Sequence, residues 1–145
     1  MQFMWADTLL AAERAHLLRL AIWGGASVFV GGALLGLLRL RRERTALLDH
    51  FAIQTVAWGA VDLALALAGR QRLEIRDLAG ATRLDRFLWL NIGLDAGYVM
   101  VGLTLLAVGW RVARRPGLVG AALGVIVQGT GLAVLDLVLA AQISR

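Results

Sequence analysis

Asp62, Asp95 and Asp136 lie inside long apolar stretches, WGAVDLALA, LNIGLDAGYV and GLAVLDLVLA, where charged residues are otherwise scarce. An acid near the middle of a bilayer costs about 2.5–3.5 kcal/mol on insertion scales, so it normally faces a partner, a cavity or a translocation path. Three such acids suit the holding of a proton or cation, or hydrogen bonding to a polar headgroup. Amides and aromatics accompany them at helical spacing. His50, Gln54, Trp58 and Asp62 follow in steps of four, while Asn91, Asp95, Tyr98 and Gly102 fall on one narrow helix face. Gln128 stands eight positions before Asp136. The candidate polar site is therefore Asp62, Asp95, Asp136, Asn91, Tyr98, Gln54, Gln128 and Trp58. Arg19 and Arg86, near span ends where long side chains can reach inward, are its candidate charge partners.

Other chemistries find less support. Cysteine is absent, which excludes disulfides, thiol redox chemistry and thiolate metal sites. His16 and His50 are expected at opposite membrane surfaces, and no His-x-x-x-His pattern occurs, so neither a metal nor another cofactor is expected. His50 stands over the Gln54–Trp58–Asp62 stripe, where a proton-relay role is conceivable. Ser27 has no base at a readable spacing, and no catalytic residue is assigned. Trp5, Trp23, Trp89 and Trp110 fall near span ends and read as interfacial anchors.

The elements that must position these residues follow from composition. The 145-residue chain is 59% hydrophobic, with a mean hydropathy of +0.73, well above the balance of a soluble domain. Its apolar runs, 17–38, 47–69, 87–110 and 117–142, each approach or exceed the roughly 20 residues a helix needs to cross a bilayer. They are continuous, without the dyad alternation of a membrane β-barrel. The expectation is a single all-α domain over 1–145, a four-transmembrane-helix bundle built from two repeated helical hairpins, multi-pass in the cell (inner) membrane. The first run is longer than a signal-peptide core and lacks a small-residue cleavage site, so it is expected to remain as a span. All fifteen basic residues are arginine and the net charge is +5. Because they lie almost wholly outside the spans, they point to lipid headgroups and away from nucleic acid.

Four spans put both termini and the central connector on one side, here side A, and the two short loops on side B. Side B carries Arg39, Arg41, Arg42, Arg44, Arg111, Arg114 and Arg115. Side A carries Arg14, Arg19, Arg70, Arg72, Arg76, Arg83, Arg86 and Arg145, so seven stand against eight and orientation stays open. The density of the first short loop favours side B as cytoplasmic. At about 1.5 Å per residue the three aspartates share a layer about 9–12 Å below side A. A site there would open to side A. The connector 71–86 reads as solvated, with a short interfacial helix broken at Gly80 as the alternative. Residues 53–66 align without gaps to 127–140, matching Gln54 to Gln128 and Asp62 to Asp136, and this reads as a duplication that places equivalent positions at equal depth. Gly32-xxx-Gly36 and Gly120-xxx-Gly124 have the spacing of close helix contacts, within the bundle or at a dimer face.

The stretch from Leu88 to Tyr98, with Gln128-Gly129 and Asp136, resembles an uncharacterised bacterial family of small four-span integral membrane proteins. That family carries N-x-G-L-D-x-x-Y in its third span and Q-G-x(6)-D in its fourth; the resemblance implies a fold and no activity. The leading expectation is a non-enzymatic bundle whose polar site binds or conducts a cation, a proton or a polar lipid headgroup. The alternative is a structural or accessory subunit whose polar residues fix packing, oligomerisation or contact with a larger membrane partner. An intramembrane enzyme acting on lipid ranks third, since no nucleophile and base pair is identifiable.

Overall fold

The Leu- and Ala-rich runs become four long helices, because in hydrocarbon every backbone N–H and C=O must be satisfied within the segment. The computed structural model describes residues 2–43 and 45–143; Arg44 and Arg145 lie outside the described residues. Helix α1 is Gln2–Leu40, α2 is Ala46–Gln71, α3 is Leu78–Ala107 and α4 is Pro116–Ile143. Each is long and apolar enough to cross a membrane, which makes this a multi-pass membrane protein. Exposed Leu18, Ile22, Phe29, Leu67, Leu90 and Met100 face outward, as lipid contact requires.

Two helices are longer than their apolar runs. Helix α1 begins some fifteen residues before Leu17, because Ala6, Leu9 and Glu13 form a buried stripe that packs against the bundle on side A. Helix α3 begins at Leu78, so the connector reduces to 72–77 and is neither a solvated stretch to Arg86 nor a separate helix broken at Gly80. Asp77 is the N-cap, its carboxylate accepting from the Gly80 amide at 2.7 Å, so Gly80 helps to start the helix. At the other end α3 widens into one π-helical turn, Val108–Val112. On side B, Arg42 and Arg114 adopt positive φ (55° and 47°) to turn the chain between hairpin helices. Arg42 does so in a Schellman arrangement, with Glu43 N–H donating to Leu38 O and Arg42 N–H to Arg39 O.

Helix α4 packs against all three others, whereas α2 and α3 share no close backbone contact, and neither do α1 and α3. The tight seams are made by glycine. A Cβ on Gly24 would lie 2.7 Å from the Gly59 carbonyl oxygen, and one on Gly59 would lie 2.7 Å from that of Gly24. Gly120 and Gly124 of α4 bear on the Leu47 carbonyl and on Gln54 of α2, so that pair serves the interior of the bundle. Around Gly32 and Gly36 nothing lies within 4 Å of where a Cβ would be, so that pair faces outward. Because α3 leans on α4 alone, a wedge of space is left between α2 and α3. A small apolar cluster, Leu88, Leu139 and Ala140 with Ala12, Ile92 and Ile143, holds the side A end together.

Candidate functional site

The wedge is a cavity of about 490 Å³ in the side A half of the bundle. Asp62, Asp95, Asp136, Asn91, Tyr98 and Trp58 all line it. Its walls are otherwise mostly apolar, with Leu17 and Leu20 from α1, Leu132 and Leu139 from α4, and Leu84 and Leu88 from α3. Trp58 and Tyr98 meet edge to face across the gap, with ring centroids 5.0 Å apart and planes at 64°. On their helices they stand one turn from Asp62 and Asp95, on the side B side of each acid.

The three carboxylates differ in their surroundings. Asp136 has a partner, with His16 Nε2 3.4 Å from its Oδ1. Asp62 is wholly buried, at 0% exposure, and among the described residues neither of its oxygens has a hydrogen-bond partner. Asp95 is 5% exposed, with one oxygen unpartnered. Asp95 lies within electrostatic range of both other acids. Almost every buried polar atom in a protein has a partner, so two neighbouring acids with free oxygens over one cavity require a reason. Among the described residues no three His, Asp or Glu side chains converge closely enough to hold a metal ion. The acidic layer is spread around a cavity wall and is not a chelate.

Several candidates lie elsewhere. Gln128 is 1% exposed in the seam between α1 and α4, where its Oε1 accepts from Trp23 Nε1 at 2.8 Å and its Nε2 donates to Ser27 Oγ at 3.0 Å. An indole N–H can only donate, which fixes which end of the amide it meets. Trp23 is therefore a partner inside the bundle and not an interfacial anchor; its ring lies over Gly131, where a Cβ would overlap it. Gln54 packs on Gly124 in the seam between α2 and α4. His50 is exposed near side B, its Nδ1 2.9 Å from the Ala46 carbonyl, too far along α2 to continue the Asp62 stripe into the cavity. Arg86 is exposed, and Arg19 has a buried Nη1 without a hydrogen bond; among the described residues neither pairs with an aspartate.

The charges that do attend the cavity are Glu13, His16, Arg72 and Arg76. Arg76 clasps Glu13 through both guanidinium edges, Nε to Oε1 at 2.7 Å and Nη2 to Oε2 at 3.0 Å. This fork geometry is the strong form of an ion pair, and the hydrogen bonds to Glu13 raise the Arg76 pKa above its ordinary value. The clasp ties α1 to the connector across the side A end. A signal for it was present in the sequence: Ala6, Leu9, Glu13, His16 and Leu20 recur at helical spacing ahead of the apolar run, placing both polar residues on the buried stripe.

The most exposed residues lining the cavity are Val61 and Leu65 of α2 and Phe87 and Leu94 of α3, together with Arg72 at the side A end. Beside the side A end, the cavity therefore also borders the hydrocarbon, because α4 packs against both α2 and α3 while those two helices diverge from each other. Residues 19–137 match the model of a family of unknown function. No curated protein and no solved structure matches the chain.

Proposed function

The chain belongs to that family, DUF6992, and since membership carries no activity with it we propose a function from the site: binding of a positively charged or proton-donating ligand in the acid-lined cavity, for translocation or sensing at the cell membrane. The observation that carries this is Asp62, wholly buried with both oxygens unpartnered beside a cavity that a ligand can enter. A purely structural use of such an acid is costly, since a measured interhelical hydrogen bond contributes only about 0.6 kcal/mol on average and Asp62 makes none. A proton, a cation or an ammonium group would each satisfy it. The test compares wild type with Asp62→Asn and Asp95→Asn in lipid nanodiscs, following thermal unfolding as cations are added. Wild type is expected to be stabilised, and the variants to fold but lose the response. Equal responses in all three would dispose of the site.

A second reading is favoured by the Trp23–Gln128–Ser27 network, in which polar side chains plainly serve packing. On this reading the protein is a structural or accessory subunit, and the outward Gly32 and Gly36 offer a face to a second copy or a larger partner. Crosslinking in native membranes discriminates, since a protein that stays monomeric and captures nothing counts against it. The proposal extends to origin: the matched residues 53–66 and 127–140 belong to two helical hairpins related by duplication, so that Asp62 and Asp136 are equivalent acids, of which only Asp136 has a partner among the described residues.

A further inference from the structure

We propose that the ligand is an amphiphilic organic ammonium ion that enters from the bilayer through the gap between α2 and α3; this rests on the cation reading above and names its class. Size comes first. A space of about 490 Å³ falls in the range of roughly 300–1,000 Å³ that holds small organic molecules. A bare metal ion would leave most of it empty and would not find three converging acid or histidine ligands among the described residues.

Lining chemistry narrows the class. The walls are mostly apolar, which suits a hydrocarbon body and gives a hydrated inorganic ion nothing to bond. Asp62 and Asp95, whose buried oxygens lack hydrogen-bond partners among the described residues, line the cavity together with the edge-to-face pair of Trp58 and Tyr98. Carboxylate with aromatic faces is the combination that recognises ammonium groups, by charge pairing and by cation–π attraction of about 0.5–2 kcal/mol. Asp136 and Glu13 already have partners in His16 and Arg76, so the carboxylate oxygens left without one are those of Asp62 and Asp95.

The route follows from which walls are exposed. Val61, Leu65, Phe87 and Leu94 line the cavity and face outward on the two helices that share no close backbone contact. Apolar side chains at a lateral opening admit a molecule already dissolved in lipid. The Glu13–Arg76 clasp, meanwhile, spans the side A end.

The experiment uses the full chain in lipid nanodiscs and radiolabelled tetraphenylphosphonium, a lipophilic cation, as reporter. Competitors are N,N-dimethyldecylamine, the neutral decanol of similar chain length, and potassium or magnesium chloride at constant ionic strength. The amine is expected to displace the reporter at concentrations at least tenfold lower than the alcohol. Asp62→Asn and Asp95→Asn should each weaken reporter binding tenfold or more, and Leu65→Trp at the opening should slow both association and release. Equal potency of amine and alcohol, or undiminished binding in both aspartate variants, overturns the proposal. If potassium or magnesium instead stabilises wild type in an Asp62-dependent way while the amine does nothing, the organic class fails and the cation site survives. If neither responds, both fall. Should Asp62→Asn not fold, Asp95→Asn and Asp62→Glu, which keeps the charge and shifts its reach, carry the same comparison.

Discussion

Two interfaces of this bundle use similar side chains to opposite ends. Between α1 and α4, Trp23, Gln128 and Ser27 satisfy one another, and the indole fills the space over Gly131. Between α2 and α3, Trp58 and Tyr98 meet only edge to face, and Asp62 and Asp95, which line a cavity, keep oxygens without partners among the described residues. What separates them is distance between backbones. Where α1 reaches α4, a buried amide becomes part of the packing. Where α2 and α3 stand apart, buried acids are left for something else to satisfy.

The comparison breaks most readily at the closed seam. Gly131→Leu should drive the Trp23 ring out and sever its bond to Gln128, combining overpacking with a lost buried hydrogen bond for about 3 kcal/mol. Thermal unfolding in nanodiscs would show this as the largest drop of the set, and an unchanged midpoint would mean that the seam is looser than its geometry. Gln128→Leu keeps the volume but leaves the Trp23 N–H and the Ser27 hydroxyl unpaired, for about 1–2 kcal/mol. Its cation response should persist, which separates packing from binding.

At the open gap stability should respond less. Tyr98→Leu removes one aromatic contact of about 0.5–1.5 kcal/mol, with a modest fall in midpoint and a several-fold loss of reporter affinity. Asp62→Asn sharpens the contrast furthest. It replaces an unpartnered acid by a neutral amide of equal size, so stability without ligand should stay level or rise slightly while binding is lost. A midpoint falling as far as that of Gln128→Leu would show that Asp62 belongs to the packing after all.

Much of the frame was legible along the chain. Hydropathy located α2 and α4 to within two residues at each end, since both helices are apolar nearly throughout. It missed the starts of α1 and α3, which lie outside the continuous apolar runs and are held by a buried stripe and by the Asp77 cap. For the same reason the Glu13–Arg76 pair was not foreseen, and His16, expected at the membrane surface, lies beside Asp136, where Arg19 or Arg86 had been expected. The polar stripe on α3 pointed to Asn91, Asp95 and Tyr98 because one helix face is a property of one helix. Gln54 and Gln128 had the same kind of spacing and went to different seams.

The sequence by itself determined four spans and the residues available on each helix face, because hydropathy and periodicity are local. Only the tertiary structure decided which acid was matched and which was not. Partnering depends on how near another helix comes, and the glycine contacts that draw α2 against α1 and α4, with α3 lying on α4 alone, leave the gap at Asp62 and Asp95.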